Sequence, residues 1–454
     1  MDSMDNFRER FEALEQWTEH LQPHTRLVPR RRRWWRSIAC GVGLLVGLLS
    51  LARTSQAADF ACPAGDVACL IAAINTANAN GEANTITLEA GTYTLTVVDN
   101  DTDGPNGLPS MTSTLTLQGT GADTTSIARE GGFRTPPFFR LLHVAATGQL
   151  TLKRLTLRGG TSLGGGGINN AGGIVTVTHC TLVGNSAGIV GGGINNAGGT
   201  VTVTHCTLMS NGNSEAGGGV STMGGMVTIT HSTIADNRVF GPGGILNIKG
   251  TVTIADSTIA DNRGDTITGV GGIDNRGFMT ILNSTIARNL GAVPGILNGG
   301  QLLIVNSTIV DNVDTRLPGR PGLGIRTDGT GSTVLVNTIL ARNGPRSDCR
   351  GTVTSLGTNL IEDPTGCTIT LQPTELTGDP GLDTFADNGR PGNGHYPLLP
   401  TSQAIDAGND AVCPTRDQLG QRRIGRCDIG AIRFLDGIDR QHDDDPAGVA
   451  QAAQ

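Results

Sequence analysis

Gly166-Gly167-Ile168-Asn169-Asn170-Ala171-Gly172-Gly173 recurs unchanged as Gly192-Gly193-Ile194-Asn195-Asn196-Ala197-Gly198-Gly199. Degenerate copies begin at Gly218, Gly243, Gly271, Pro294 and about Leu323, at spacings of 26, 26, 25, 28, 23 and 29 residues. Each copy runs on into an apolar-Thr-apolar segment, as in Val175-Thr176-Val177 and Val201-Thr202-Val203. A second short strand follows, as in Ser257-Thr258-Ile259 and Ser284-Thr285-Ile286. Each copy closes on an asparagine: Asn185, Asn211, Asn237, Asn262, Asn289, Asn312 and Asn343. Short β segments separated by Gly and Asn, with no room for a helix, read as one coil of a β-solenoid.

Alternation along the strands puts Val177, Val203, Ile229, Ile254, Ile281, Ile304 and Leu335 in one inward column. Thr176, Thr202, Thr228, Thr253 and Thr280 then face outward. The Asn column is expected in a turn that tolerates left-handed backbone and hydrogen-bonds up and down the stack. Weaker coils extend the pattern at Thr85-Ile86-Thr87-Leu88, Leu115-Thr116-Leu117, Leu150-Thr151-Leu152, Thr352-Val353-Thr354 and Asn359-Leu360-Ile361. About ten coils at this rise make a rod of about 50 Å. An exposed first edge would recruit other strands. A helix over 66–80, with Asp66 as N-cap and a stripe of Leu70, Ile71, Ile74 and Ala77, is expected to cap it.

Composition agrees. Aromatic residues are 3% and charged residues 16%, and 67 of the 454 residues are Gly without a strict period of three, which excludes collagen. The low aromatic content suits a narrow interior of stacked Val, Ile and Leu. Lys153 and Lys249 are the two lysines of the chain, so amine nucleophiles have almost no candidates. Beyond residue 57 the formal charge is −10, which disfavours nucleic-acid partners.

Arg30-Arg31-Arg32-Arg33-Trp34-Trp35-Arg36 precedes an apolar run from Ser37 to Ala52, which ends in Thr54-Ser55-Gln56-Ala57. Basic, apolar and small-residue parts in that order read as a secretory signal or an uncleaved signal-anchor, with everything after residue 57 exported. Any membrane contact is expected through this N-terminal segment.

Three further stretches carry a family resemblance. CPAGDVACLIAAINTANANGEANTITLEAGTYTLT, from Cys62, resembles the N-terminal cap of exported bacterial β-helix proteins of the CSLREA type, although Leu70-Ile71-Ala72-Ala73 stands where that motif has Ser-Leu-Arg-Glu-Ala. AIDAGNDAVCPTRDQLGQRRIGRCDIGA, from Ala404, is similar to the C-terminal element of choice-of-anchor Q proteins. SDCRGTVTSLGTNLIEDPTGC, from Ser347, also recurs in that group. The resemblance implies a right-handed parallel β-helix, pectin-lyase-like in shape, at a bacterial surface and without an assigned activity. The expected organisation is a leader over 1–57, a cap and first coil over 58–100, repeats over 101–370, a C-terminal cap over 371–434 and a disordered acidic tail over 435–454.

Eight cysteines follow Cys40, an even count that suggests disulfides after export. Local spacing pairs Cys62 with Cys69, Cys349 with Cys367 and Cys413 with Cys427. Cys180 and Cys206 lie one coil apart and are either bridged or buried thiols. His179, His205 and His231 stack in the same way, in a position that holds Asp256, Asn283, Asn306 and Asn337 in later coils, which is a turn role before it is a metal site. Asp99-Asn100-Asp101-Thr102-Asp103-Gly104 has the start of a calcium loop, with Ser110 where Glu would complete it; Asp99, Asp101 and Asp103 are therefore the candidate calcium ligands. Asp236 and Asp261 would be neighbours on one edge and could form a pair of catalytic carboxylates. Arg316, Arg320 and Arg326 could meet an anionic sugar. A regular double threonine array of the kind that binds ice is broken at Ala255 and Leu282.

The expected function is that of a non-catalytic exported surface or envelope protein, structural or adhesin-like, with an extracellular glycan or a cell-surface protein as partner and no cofactor beyond possible calcium. The rival reading is a polysaccharide lyase or glycoside hydrolase on the same fold.

Overall fold

The chain forms a right-handed parallel β-helix. The structure is a computed structural model that describes residues 57–435, apart from 133, 214–216, 267, 314–321 and 345–346. Twenty strands join in one long sheet, twelve in a second sheet with one strand per turn, and five in a short third sheet. Register follows the sequence repeat. Val177 sits over Val203, Val203 over Ile229, Ile229 over Ile254, and the column continues through Ile281 and Ile304 to Leu335. All seven are fully buried, so the interior is a set of aliphatic stacks.

The recurrent glycines of the repeat mark close approach. A Cβ on Gly167 would lie 2.6 Å from the carbonyl oxygen of Gly193, and one on Gly193 would lie 2.6 Å from that of Gly219. No side chain fits where consecutive turns meet backbone to backbone.

The closing asparagines form a buried amide ladder. Asn237 donates from Nδ2 to Asn262 Oδ1 at 2.8 Å and to the Leu208 carbonyl at 3.0 Å, and its backbone N–H donates to the same Asn262 oxygen at 3.1 Å. Asn211 N–H in turn donates to Asn237 Oδ1 at 2.9 Å. The left-handed residue, however, is not the asparagine. It is the one before it: Gly184, Ser210, Asp236, Asp261, Arg288, Asp311 and Arg342 all have φ between 53° and 64°. The bend is taken one position early, which leaves the Asn side chain aimed inward along the stack. A second amide ladder, not anticipated from the repeat, runs from Asn170 Nδ2 to Asn196 Oδ1 at 2.8 Å, and again from Asn247 through Asn275 to Asn298 at 2.7 and 2.8 Å.

The first turn is capped as the sequence suggests. Helix α1, Val67–Asn80, starts at Asp66, whose carboxylate accepts from Cys69 N–H at 2.9 Å, and stops at Gly81, φ 72°. Its buried stripe is Leu70, Ala73, Ile74 and Ala77, so Ala73 takes the place expected of Ile71. The strand Asp59–Cys62 lies outside Asn84–Leu88 and pairs with it in parallel, so the helix covers an edge one strand earlier than expected. Disulfides join Cys62 to Cys69, Cys349 to Cys367 and Cys413 to Cys427.

The far end is closed differently. Residues 382–434 fold back along the outside of the second sheet. Gly392 N–H donates to Thr233 Oγ1 at 2.8 Å, Gln418 Nε2 to Thr258 Oγ1 at 3.1 Å, and Ala431 N–H to Thr308 Oγ1 at 3.1 Å. Beneath this arm the outward column of the second sheet is small and apolar, Ala260, Ala287, Val310 and Ala341, and is buried.

Replacing Asn237 by Ala leaves Asn211 N–H without its acceptor and removes the side-chain donor to Asn262 Oδ1 and the Leu208 carbonyl in the dry interior, and is expected to cost about 1–3 kcal/mol. Outward Thr228→Ala should cost under about 0.5 kcal/mol. Hydrogen exchange should show the Asn237 variant loosening the middle coils first, because stability in a solenoid is a nearest-neighbour property. Equal and uniform effects from the two variants would contradict this register.

Candidate functional site

One face of the long sheet is left open and nearly uncharged. Thr85, Thr116, Thr151, Thr176, Thr202, Thr228, Thr253 and Thr280 stack in register as its central column. On either side lie Thr114, Gln149, Ile174, Thr200, Met226, Thr251 and Phe278, and Gln118, Lys153, Thr178, Thr204 and Thr230. Lys153 is the one charged side chain among these. Ile174, Met226 and Phe278 are 46%, 54% and 43% exposed, an apolar component that the interior does not absorb. The central column is longer than the five threonines the repeat suggests, because the weaker early coils keep it.

Of the carboxylates expected as an acid pair, Asp261 is engaged by a cation. Arg288 grips Asp261 through both Nε, at 3.0 Å, and Nη2. One turn on, Arg342 Nε lies 3.2 Å from Asp311 Oδ1, and Tyr396 of the returning arm donates its hydroxyl to Asp311 Oδ2 at 2.7 Å. The Phe385 ring covers the Arg288 guanidinium, 3.7 Å from its centroid, and meets Tyr396 edge-on. Burial and the neighbouring Asp261 raise the Asp236 carboxyl above its ordinary value. With Asp261 held by a cation, the two acids are not an independent nucleophile and acid; the row is a charged seam that seats the arm. Arg326 pairs with Asp328 at 2.8 Å. Arg316 and Arg320 lie outside the described residues.

The histidines stack face to face, with centroids 4.9 and 4.8 Å apart and ring planes within 1° and 11°. Parallel rings at the spacing of the turns do not converge their nitrogens on one point. Burial, then the adjacent imidazole, lowers the pKa of His205 and His231. Cys180 and Cys206 are free buried thiols. Cys180 N–H donates to Cys206 Sγ at 3.3 Å, Cys206 N–H to Ser232 Oγ at 3.1 Å, and Ser232 N–H to Ser257 Oγ at 3.2 Å. The thiols thus occupy two rungs of a serine ladder.

The excursion 99–111 between two coils does something the sequence did not suggest. Asp99, Asp101 and Asp103 do not gather as calcium ligands; among the described residues no cluster of three or more His, Cys, Asp or Glu could hold a metal. Asp103, held at φ 54°, turns instead to His143, with Oδ2 3.0 Å from Nε2. His143 Nδ1 lies 2.9 Å from Ser110 Oγ. Asn100 Oδ1 lies 3.2 Å from the same hydroxyl and is itself fixed by Asn106 Nδ2 at 2.7 Å. Arg140, 3% exposed, holds the Asp103 carbonyl at 2.8 Å and Asn106 Oδ1 at 3.3 Å, and its Nε–H is buried without a partner. Burial first, and Arg140 second, depress the His143 pKa against the opposing pull of Asp103. A neutral imidazole donating to Asp103 presents an unprotonated Nδ1 to Ser110. The spacing Asp103, Ser110, His143 follows no repeat period, and only the odd Ser at the twelfth loop position hinted at it.

Residues 167–340 match the family model of a right handed beta helix region. No curated protein matches the chain. Two solved structures share the architecture. The A-module of the Azotobacter vinelandii mannuronan C-5 epimerase AlgE4 is 15% identical, with 70% of this chain and 97% of that chain covered and a TM-score of 0.33. The PL6 family alginate lyase AlyGC is 11% identical, with 84% and 59% covered and a TM-score of 0.22. At these values the likeness extends to the fold alone. Both neighbours are enzymes by name, an epimerase and a lyase, so the expectation that this chain is not an enzyme is withdrawn, and their activities are said of them alone. The three disulfides fit an exported protein. Among the described residues no helix is long and apolar enough to cross a membrane, and the run 37–52 expected as signal or anchor lies outside them.

A pH-dependent contribution resides where the arm docks. Asp256 sits 3.8 Å from His231 Nε2, accepts from Asn283 Nδ2 at 3.2 Å, and is raised by burial to about 7. A carboxyl whose pKa is raised by folding stabilises the fold fully below its ordinary range and loses that contribution as pH climbs towards 7. Asp256→Asn should therefore melt with the wild type near pH 4 and be more stable by on the order of 1–2 kcal/mol at pH 8. Thermal melts across that range measure it; a gap that closes as pH rises would reverse the sign.

Proposed function

We propose that the protein is exported and works on an extracellular polysaccharide, holding an uncharged stretch of it along the threonine face. The observation that supports this is the column of eight in-register threonines on an open face, with Lys153 the one charged side chain among the flanking residues and Asp59 at the column's first rung. Rungs about 4.8 Å apart offer a hydroxyl and a methyl at each step, so two rungs approximate the length of two sugar rings in an extended chain. Ile174, Met226 and Phe278 supply the apolar surface on which the C–H faces of sugar rings stack. A face with one lysine offers an anionic polymer no row of cations, whereas neutral sugars lose little on leaving water for hydroxyls and methyls. The resemblance at Cys62–Thr96, Ser347–Cys367 and Ala404–Ala431 supports placing the protein with the CSLREA and choice-of-anchor Q type at a bacterial surface.

Co-sedimentation with insoluble neutral polysaccharides, against an anionic one as control, tests the reading. Binding should be retained in high salt, since no ion pairs form. Thr202→Glu, a charge in mid-column, should weaken it at least about tenfold, roughly 1.4 kcal/mol. Preference for the anionic polymer, or loss of binding in salt, would refute it.

A further inference from the structure

We propose that Ser110, His143 and Asp103 form a hydrolytic centre for acyl esters, with Ser110 as nucleophile, His143 as general base and Asp103 as the positioning residue. The inference rests on the polysaccharide reading only for the molecule that carries the ester; the chemistry stands on the geometry of the three side chains. Ser110 Oγ and His143 Nδ1 are 2.9 Å apart, and His143 Nε2 and Asp103 Oδ2 are 3.0 Å apart. Nucleophile and base within hydrogen-bond reach, with the base oriented by a third group, is the arrangement that activates a hydroxyl.

The proton inventory supports these roles. Asp103 accepts from Nε2–H and so selects the tautomer whose Nδ1 is free to receive the serine proton. After transfer, Nδ1–H can donate back to Oγ and Nε2–H still donates to Asp103. Before transfer the single hydroxyl proton has two acceptors, Nδ1 at 2.9 Å and Asn100 Oδ1 at 3.2 Å, and the rotamer aimed at the nearer Nδ1 is the reactive one. His143 is fully buried while Ser110 is half-buried, so the base is shielded and the nucleophile can be approached.

The reaction balances with water as the only co-reactant. Oγ attacks the acyl carbon as its proton passes to Nδ1, giving a tetrahedral oxyanion. The bond from acyl carbon to alkoxy oxygen breaks, and the alkoxide leaves as an alcohol with the Nδ1 proton. A water then attacks the Ser110 ester, gives one proton to Nδ1, and releases a carboxylic acid as Oγ regains its proton. Arg140 holds the Asp103 carbonyl at 2.8 Å and so braces the segment that carries the positioning carboxylate. The substrate class is an O-acyl ester, and an acylated sugar lying against the same coils would present one.

The probes are a fluorophosphonate and a small aryl acetate, used on the full secreted chain. The fluorophosphonate should label Ser110, located by mass spectrometry of the digest. Aryl acetate hydrolysis should fall at least about a hundredfold in Ser110→Ala, whose melting point should stay within a few degrees of the wild type. Asp103→Asn should lower kcat with KM nearly unchanged, which loss of a mere loop anchor would not do. Absence of label on Ser110, or ester hydrolysis unchanged in Ser110→Ala, overturns the proposal whatever happens to His143 variants. Because the aryl ester needs no sugar, turnover without polysaccharide binding would leave this centre standing and sink only the threonine-face reading.

Discussion

Every feature of this molecule depends on like residues stacking on like at the spacing of parallel strands. The backbone ladder needs that register, and the buried amides enforce it. Asn185, Asn211, Asn237 and their successors are fully buried, and each finds its side-chain partner in the turn beside it. Slipping one turn by a residue would leave a dry amide unpaired and turn aliphatic side chains outward together. The same rule explains the serine ladder into which Cys180 and Cys206 fit, the histidine stack, and the threonine column.

A repeat that satisfies itself turn by turn still has two ends and two outer faces to account for. Helix α1 covers one end. The returning arm covers half of the second sheet, and the small side chains Ala260, Ala287 and Ala341 are what let its backbone approach. The charged seam of Asp261, Arg288, Asp311 and Arg342 with Phe385 and Tyr396 closes the edge of that contact. Asp261, which looks catalytic in one dimension, is here held by Arg288 in that seam. Chemistry is left to the places where the repeat is interrupted, and the excursion 99–111 is the interruption that brings a base, a hydroxyl and a carboxylate together.

A β-helix offers a long face and, at interruptions, local pockets of polar groups. These two provisions are separable in space, since the threonine column and the excursion draw on different residues. That separation is a property of solenoids, in which each turn contacts only its neighbours.

The solenoid, its inward columns, the capping helix and the outward threonines were legible in the sequence, because they are periodic and each follows from residues within one or two coils. The left-handed position was misplaced by one residue, since glycine, serine, aspartate and arginine share it and no single residue type marks it. The calcium loop at Asp99, Asp101 and Asp103 was read from local spacing, and Asp103 turns instead to a distant histidine; the acid pair at Asp236 and Asp261 was read from the repeat, and the next rung of that same repeat, Arg288, takes Asp261. Asp103 meets His143 across 40 residues, and Tyr396 meets Asp311 across 85. Periodicity predicts which residue lies one turn above another. It carries no information on where an excursion or a returning arm lands, because that is settled by contacts between segments that share no period, and only the folded chain brings them together.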